Sequence, residues 1–221
     1  MTPCRPCRLY LHIEEPSMKV VLDNLLPILL GRNGPPFQII DHGSKSGLLN
    51  NLSMRLAGYA RRLEREDIRV LVLLDRDEAD CLVLKRSLED MARRAGLATK
   101  SAPQADGGFR VVNRIVVEEL EAWFFGDVPA ICSAYPGVPA SLGLQARYRD
   151  PDAIKGGTWE ALLRVLQGAG HYVGSARLPK IEVARTIASH MLPEHNRSAS
   201  FRQFLAGLAA LTAGCPSLPS A

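Results

Sequence analysis

Short apolar runs alternate with amphipathic stretches over the first 125 residues. Arg8-Leu-Tyr-Leu-His-Ile13 reads as a strand, and Ser17–Leu30 as a helix with Ser17 at its N-cap. Val21, Leu25, Ile28 and Leu29 recur at helical spacing, with Pro27 among them as a point of bending or division. The turn signal Gly34-Pro35-Pro36 separates this helix from a second strand, Phe37–Ile40. Leu48–Arg65 predicts a long helix with an arginine-rich outer face. Ile68-Arg-Val-Leu-Val-Leu-Leu74 is almost continuously apolar, which suits a parallel strand buried on both faces. Ala79–Ala95 predicts the next helix, closed by Gly96. Phe109–Val112 predicts a fourth strand and Val117–Phe125 a further helix. The alternation implies an α/β fold: a mostly parallel sheet flanked by helices.

The remainder has a different texture. A loop rich in Pro, Gly and Ala runs from Tyr135 to Lys155, followed by helical stretches at Trp159–Leu166, Lys180–Met191 and Ser200–Leu211. The expected organisation is an α/β domain over 1–130, a helical extension over 131–212 packed on it, and a disordered tail over 213–221.

Composition narrows the class. With 47% hydrophobic and 23% charged residues, global disorder is excluded. No apolar run reaches the roughly 18 residues that a membrane-spanning helix needs. The first residues lack a secretory pattern, so the cytoplasm is the expected compartment. Residues 141–221 hold nine basic and five acidic side chains, so the whole net charge of +4 lies there. That excess would attract a polyanion, and it is equally compatible with a solvated basic surface. The five scattered cysteines do not form a disulfide framework. Cys4-x-x-Cys7 lacks the second ligand pair of a structural zinc site, so two free thiols on a frayed N-terminal arm are expected.

The candidate chemistry lies at strand ends. In open parallel sheets, sites form at the carboxyl edge. The first strand ends in Glu14-Glu15 and the third in Asp75-Arg76-Asp77. Asp75 and Asp77, two apart in extended chain, share a face while Arg76 points away. If these strands are neighbours, Glu14 meets both aspartates. Carboxylates converging in this way repel one another unless a cation intervenes, and hard oxygen donors suit Mg²⁺ or Mn²⁺. The plainer reading is that turns are polar, that Asp77 caps the next helix and that Glu14 pairs with an arginine.

A strand ending in glutamate, then a helix, then a later apolar strand ending in Asp-x-Asp resembles the Toprim domain of topoisomerases, bacterial primases, recombination mediators and overcoming-lysogenization-defect nucleases. The residue after the glutamate is glycine in the usual Toprim signature and Glu15 here, which can crowd the metal or add a ligand. More narrowly, the chain resembles a bacterial Toprim-like family, domain of unknown function number 4276, over most of residues 8–205. The matching stretches are His12-Ile-Glu-Glu-Pro-Ser17, Gly43-Ser-Lys-Ser46, Leu73-Leu-Asp-Arg-Asp77 and Asn113–Asp127. Tyr148–Pro151, Gly157–Glu160 and Lys180-Ile-Glu182 extend them. The resemblance implies a Toprim fold and Mg²⁺-dependent nuclease activity, with relatives in anti-phage defence neighbourhoods beside an ATPase.

Further candidates flank these acids. Glu118 and Glu121, three apart, would share a helix face and add to the metal site; Glu119 fits a first-turn acid favoured by the helix dipole. Trp123 and Phe124 would anchor the opposite side. Gly43-Ser-Lys-Ser-Gly47 opens a helix after the second strand, where Lys45 and backbone amides can hold a phosphate, although the P-loop pattern is absent. Lys155, Lys180 and Arg185 lie in the basic extension, within reach of a scissile phosphate if it folds over the acids. Of the five histidines, His42 alone falls at a strand end near the expected site.

The expected function is therefore phosphodiester hydrolysis. Glu14, Asp75, Asp77 and Lys180 carry catalysis; Glu14, Glu15, Asp75, Asp77, Glu118 and Glu121 surround Mg²⁺ or Mn²⁺; Lys45 contacts phosphate. Nucleic acid, an ATPase protein and a second copy of the chain are the candidate partners. The alternatives are a conditionally active or non-catalytic subunit of an ATPase partner, and phosphoryl or nucleotidyl transfer to a small nucleotide.

Overall fold

The computed structural model describes residues 5–76, 80–116 and 119–215. Cys4, Asp77 and Glu118, all singled out above, lie outside the described residues, as does the segment 216–221. Four strands form one sheet: β1 (Cys7–Ile13), β2 (Phe37–Asp41), β3 (Asp67–Asp75) and β4 (Val111–Val116). Their order is β2-β1-β3-β4 and every pairing is parallel. The α/β expectation holds, and β1 and β3 are direct neighbours.

Side chains alternate across the strands and build two separate cores. Leu9, Leu11 and Ile13 of β1, with Leu71 and Leu73 of β3, face one layer. That layer contains α1 (Pro16–Leu30), α4 (Glu121–Gly126), α5 (Val128–Ala134), α6 (Thr158–Gly168), α7 (Lys180–Ala188) and α8 (Ala199–Thr212). Tyr10 of β1, with Val70, Val72 and Leu74 of β3, faces α2 (Lys45–Arg62) and α3 (Cys81–Arg94). The helices of the second half therefore share one core with α1 and the sheet. Trp123 is central to that core: its ring packs against Phe201 and Phe204 at 4.9 and 5.1 Å, and its indole N–H donates to Ser200 Oγ at 3.1 Å. Gly126 passes so close to Asn196 and Ser198 that any side chain there would collide with them.

Several boundaries differ from the sequence reading. Pro27 does not divide α1, because it sits in the last turn and a half, where the remaining helical bonds still close; the Gly31 amide donates to the Pro27 carbonyl. Ser17 is not the N-cap: Glu15 takes that position, and the Ser17 hydroxyl donates to the Glu15 carboxylate at 2.5 Å. β4 runs to Val116 rather than stopping at Val112, as its pairing with Val70–Asp75 of β3 carries it to the full width of the sheet. Of the helix expected over 117–125, α4 spans Glu121–Gly126, and the face that Glu121 would share with Glu118 falls outside the described residues. Cys7 is not a free thiol on a frayed arm. It is the first residue of β1, 4% exposed, and disulfide-bonded to Cys215, which follows α8. Two cysteines 208 residues apart meet because α8 returns across β3 and β4 to the amino end of the sheet. Among the described residues no helix is long and apolar enough to cross a membrane.

Candidate metal centre

The carboxyl edge of the sheet gathers four of the sequence-predicted acids. Asp75 is the last residue of β3 and is 6% exposed. Glu14 follows β1 directly, and its carboxylate accepts the Asp75 amide at 3.3 Å. Glu15 opens α1, and Glu121 opens α4 while being 1% exposed. Both reach the same edge because α1 and α4 follow the two strands that flank β3 and pack on the same face of the sheet.

Lys180 enters this cluster from the second half of the chain. It is the first residue of α7, which packs along α1. Its ammonium lies 3.7 Å from Glu15, 3.5 Å from Glu119 and 4.0 Å from Glu121. Glu119 has a second duty: its carboxylate accepts the Thr158 hydroxyl at 3.0 Å and the Trp159 amide at 3.2 Å, holding the first turn of α6. The first-turn role expected of Glu119 is thus filled, but at a helix other than its own. Lys45, the first residue of α2, donates to the Arg76 carbonyl at 3.2 Å, which ties the exit of β2 to that of β3. Lys180 and Arg185 also line a cleft of about 580 Å³ between α7 and the start of α1.

The electrostatics reflect crowding. Burial pushes the Asp75 carboxyl well above the usual carboxylate range, and Glu15, Glu14 and Glu121 push it further while Lys180 opposes them. Burial likewise raises Glu121 to about 7, against the pull of Lys180. Burial alone would lower the Lys180 ammonium, but Glu121, Glu15, Glu119 and Asp75 together hold it above the ordinary lysine value. Glu121 Oε2 is buried and has no hydrogen-bond partner among the described residues. A buried carboxylate oxygen without a donor is costly and calls for a cation or a proton.

These donors fit a hard divalent ion in kind: carboxylate oxygens, one of them orphaned, in a half-enclosed edge. They are not drawn tight. Among the described residues, the group whose ligand atoms lie within 4.8 Å of one another is Cys7, Asp67 and Cys215 at the opposite edge, not the acids. Lys180 stands among the acids.

A polar chain of which the sequence reading singled out His42 alone lies beside this cluster, on the other face of the sheet. His12 is fully buried on β1; its Nδ1 is 2.9 Å from His42 Nε2 and its Nε2 is 3.0 Å from the Tyr59 hydroxyl. Burial, with the charge of His42 and Arg55, lowers His12 to about 3, and burial and Arg55 lower His42. A signal existed: Leu48, Leu52, Leu56 and Tyr59 recur at helical spacing, and His12 alternates with Tyr10 on one face of β1.

A family model described as Domain of unknown function (DUF4276) matches residues 13–209. The chain belongs to this family. The match spans both the acidic edge and the helices that deliver Lys180. No curated protein and no solved structure gave a match.

Proposed function

We propose that this member of the family is a Mg²⁺- or Mn²⁺-dependent nuclease of Toprim type that hydrolyses phosphodiesters of DNA or RNA. The observation that carries this reading is the crowding of acids at the carboxyl edge: Asp75, Glu14, Glu15 and Glu121 converge there, two of them buried, with Lys180 set among them. Two of these acids are almost wholly buried, so repulsion between them is not screened by water. A structure held together only for stability has no use for such an arrangement, because an apolar packing would cost less.

In this reading Asp75, Glu14 and Glu121 hold the ion, with Glu15 at the rim. When bound, the ion activates a water and neutralises charge on the phosphoryl group. Glu14, close to Asp75 but at the surface end of its strand, handles the proton of that water. Lys180 offsets charge that develops on the phosphoryl oxygens, and its tie to Glu119 fixes it relative to α6. Lys45 approaches from the β2 side. The cleft beside Lys180 and Arg185 gives the phosphate chain a path into the edge.

The test is cleavage of plasmid DNA or tRNA with Mg²⁺ or Mn²⁺ by the wild type and by Asp75→Ala. Metal-dependent cutting by the wild type and none by the variant is expected; equal cutting by both proteins removes the assignment. A second reading, a subunit whose chemistry waits on an ATPase, draws on the exposed apolar side chains of Met54, Leu82 and Val83 on α2 and the first turn of α3. It is distinguished by cleavage that appears only after that partner is added.

A further inference from the structure

We propose that His42 is a substrate-contacting residue of this edge: a fixed N–H donor to a phosphoryl oxygen, set in that role by His12 and Tyr59. The inference rests on the reading of the edge as a phosphoryl site and adds a residue on the β2 side of it.

Hydrogen-bond accounting fixes the direction of the chain. Tyr59 is 5% exposed, and the acceptor available to its hydroxyl among the described residues is His12 Nε2. A buried hydroxyl hydrogen left without an acceptor is rare in folded proteins, so Tyr59 donates and His12 Nε2 accepts. The neutral His12 ring then carries its hydrogen on Nδ1 and donates it to His42 Nε2. With Nε2 occupied as an acceptor, His42 keeps its own hydrogen on Nδ1. That nitrogen has no partner among the described residues. The reverse ordering would leave the Tyr59 hydrogen without an acceptor among the described residues.

Backbone register places this donor at the edge. Ile13 pairs with Asp41, and the His42 amide donates to the Ile13 carbonyl at 3.1 Å. One step further along, His42 and Glu14 leave the sheet side by side. The ring is held by its hydrogen bond to His12, which is itself buried and fixed in turn by Tyr59, whereas a surface histidine would be free to rotate. A neutral ring with its Nε2 engaged offers neither a metal-ligand lone pair nor a base on that nitrogen. What it offers is one oriented N–H, the group that recognises a non-bridging phosphoryl oxygen.

The experiment is two-bond ¹⁵N–¹H correlation of the histidine rings in the full chain with Mg²⁺, followed by titration with inorganic phosphate. The expected result is a His42 ring protonated on Nδ1 whose Nδ1 signal shifts with phosphate. A wild-type ring protonated on Nε2, or an Nδ1 signal unmoved at saturating phosphate, overturns the proposal. Tyr59→Phe removes the hydroxyl that orders the chain and should let the His42 tautomer redistribute. His42→Ala should weaken phosphate binding about ten- to a hundredfold, the range of a hydrogen bond to a charged group. His42→Asn, whose amide nitrogen takes the place of Nδ1, should recover most of that loss; equal weakening in both variants overturns the assignment. Failure of the nuclease reading would look different: no cleavage, with the response of His42 to phosphate intact.

Discussion

The two ends of the same four strands treat charge in opposite ways. At the amino end, Asp67 is met by Arg69 at 2.9 Å and by Arg110, and Glu66 is met by Arg62 at 2.7 Å and Arg8 at 3.4 Å. Each acid there has at least two cations, and the Cys7–Cys215 bond closes the same edge. At the carboxyl end the ion pairs among the described residues run the other way: Glu15, Glu119 and Glu121 share Lys180, and Asp75 is crowded by Glu14, Glu15 and Glu121. The amino end satisfies its charges internally and behaves as structure. On the proposed reading, the crowded acids of the carboxyl end are held for a bound cation, which is how a binding site differs from a brace. Both ends fold from the same parallel strands, so the contrast belongs to the residues at the strand tips and not to the fold.

The sharpest way to break this contrast is to neutralise one acid at each end. Asp75→Asn should lower metal-dependent cleavage by at least about 10³-fold, the scale of losing a preorganised electrostatic group. Its thermal stability should hold or rise, because a buried carboxylate crowded by like charges is removed. Asp67→Asn should do the reverse, leaving metal affinity unchanged and costing about 1–3 kcal/mol in a denaturant melt, since Arg69 and Arg110 lose a shared partner. If Asp75→Asn destabilises and Asp67→Asn does not, the assignment of roles to the two edges is wrong. Lys180→Met comes next. It removes the cation that Glu121 and Glu119 depend on, with an expected cost of about 3–5 kcal/mol, as for breaking a buried pair. Millimolar Mg²⁺ should restore part of that stability to the variant and less to the wild type, read as a difference in melting temperature.

Much of the carboxyl edge was legible before any coordinates, for a reason visible in the strands. β3 is nine residues of nearly unbroken apolar character ending in aspartate, so its exit point is marked, and β1 ends as clearly at Glu14. Adjacency of the two was a condition of the sequence reading, and the strand order β2-β1-β3-β4 supplies it. What resisted reading was anything set by the return of the chain. Glu119 caps α6, 39 residues later, and no local pattern announces it. Cys215 reaches Cys7 only because α8 crosses back over β3 and β4, so a count of scattered cysteines pointed the wrong way. Lys180 was a plausible phosphate contact by composition, yet its position among three glutamates depends on α7 packing along α1. Local periodicity marks strand tips; it carries no information about which distant helix supplies the counter-charge.

The disulfide sharpens the amino-end half of the comparison. Linking residues 208 apart removes a large part of the unfolded chain's freedom, and the expected stabilisation is about 5 kcal/mol. Reductant should lower the melting temperature of the wild type to that of Cys215→Ser, and should leave the variant where it is. Metal affinity at the far edge should not change. Loss of metal binding on reduction would mean that the two edges are coupled, and the division drawn here would fail.

The smallest effect lies in the pH dependence of the carboxyl end. The folded Glu121 carboxyl, at about 7, is above its ordinary value near 4.5. A carboxyl raised on folding binds its proton more tightly in the native state, so its favourable contribution is complete below about pH 4.5 and is lost as pH rises toward 7. At about 1.4 kcal/mol per pH unit, the loss is at most about 3.5 kcal/mol. The raised Asp75 acts in the same direction, while the raised Lys180 contributes below its ordinary pKa and is lost only at strongly alkaline pH. Glu121→Gln should flatten the pH–stability profile between 4.5 and 7, measured against the wild type so that all other groups cancel. Mg²⁺ should flatten it too, because an ion that binds the charged carboxylate replaces the proton; its affinity should therefore tighten across the same interval. A profile that Mg²⁺ leaves untouched, with a flat Glu121→Gln control, would show that the buried acid answers to Lys180 alone and that the edge is closed to cations.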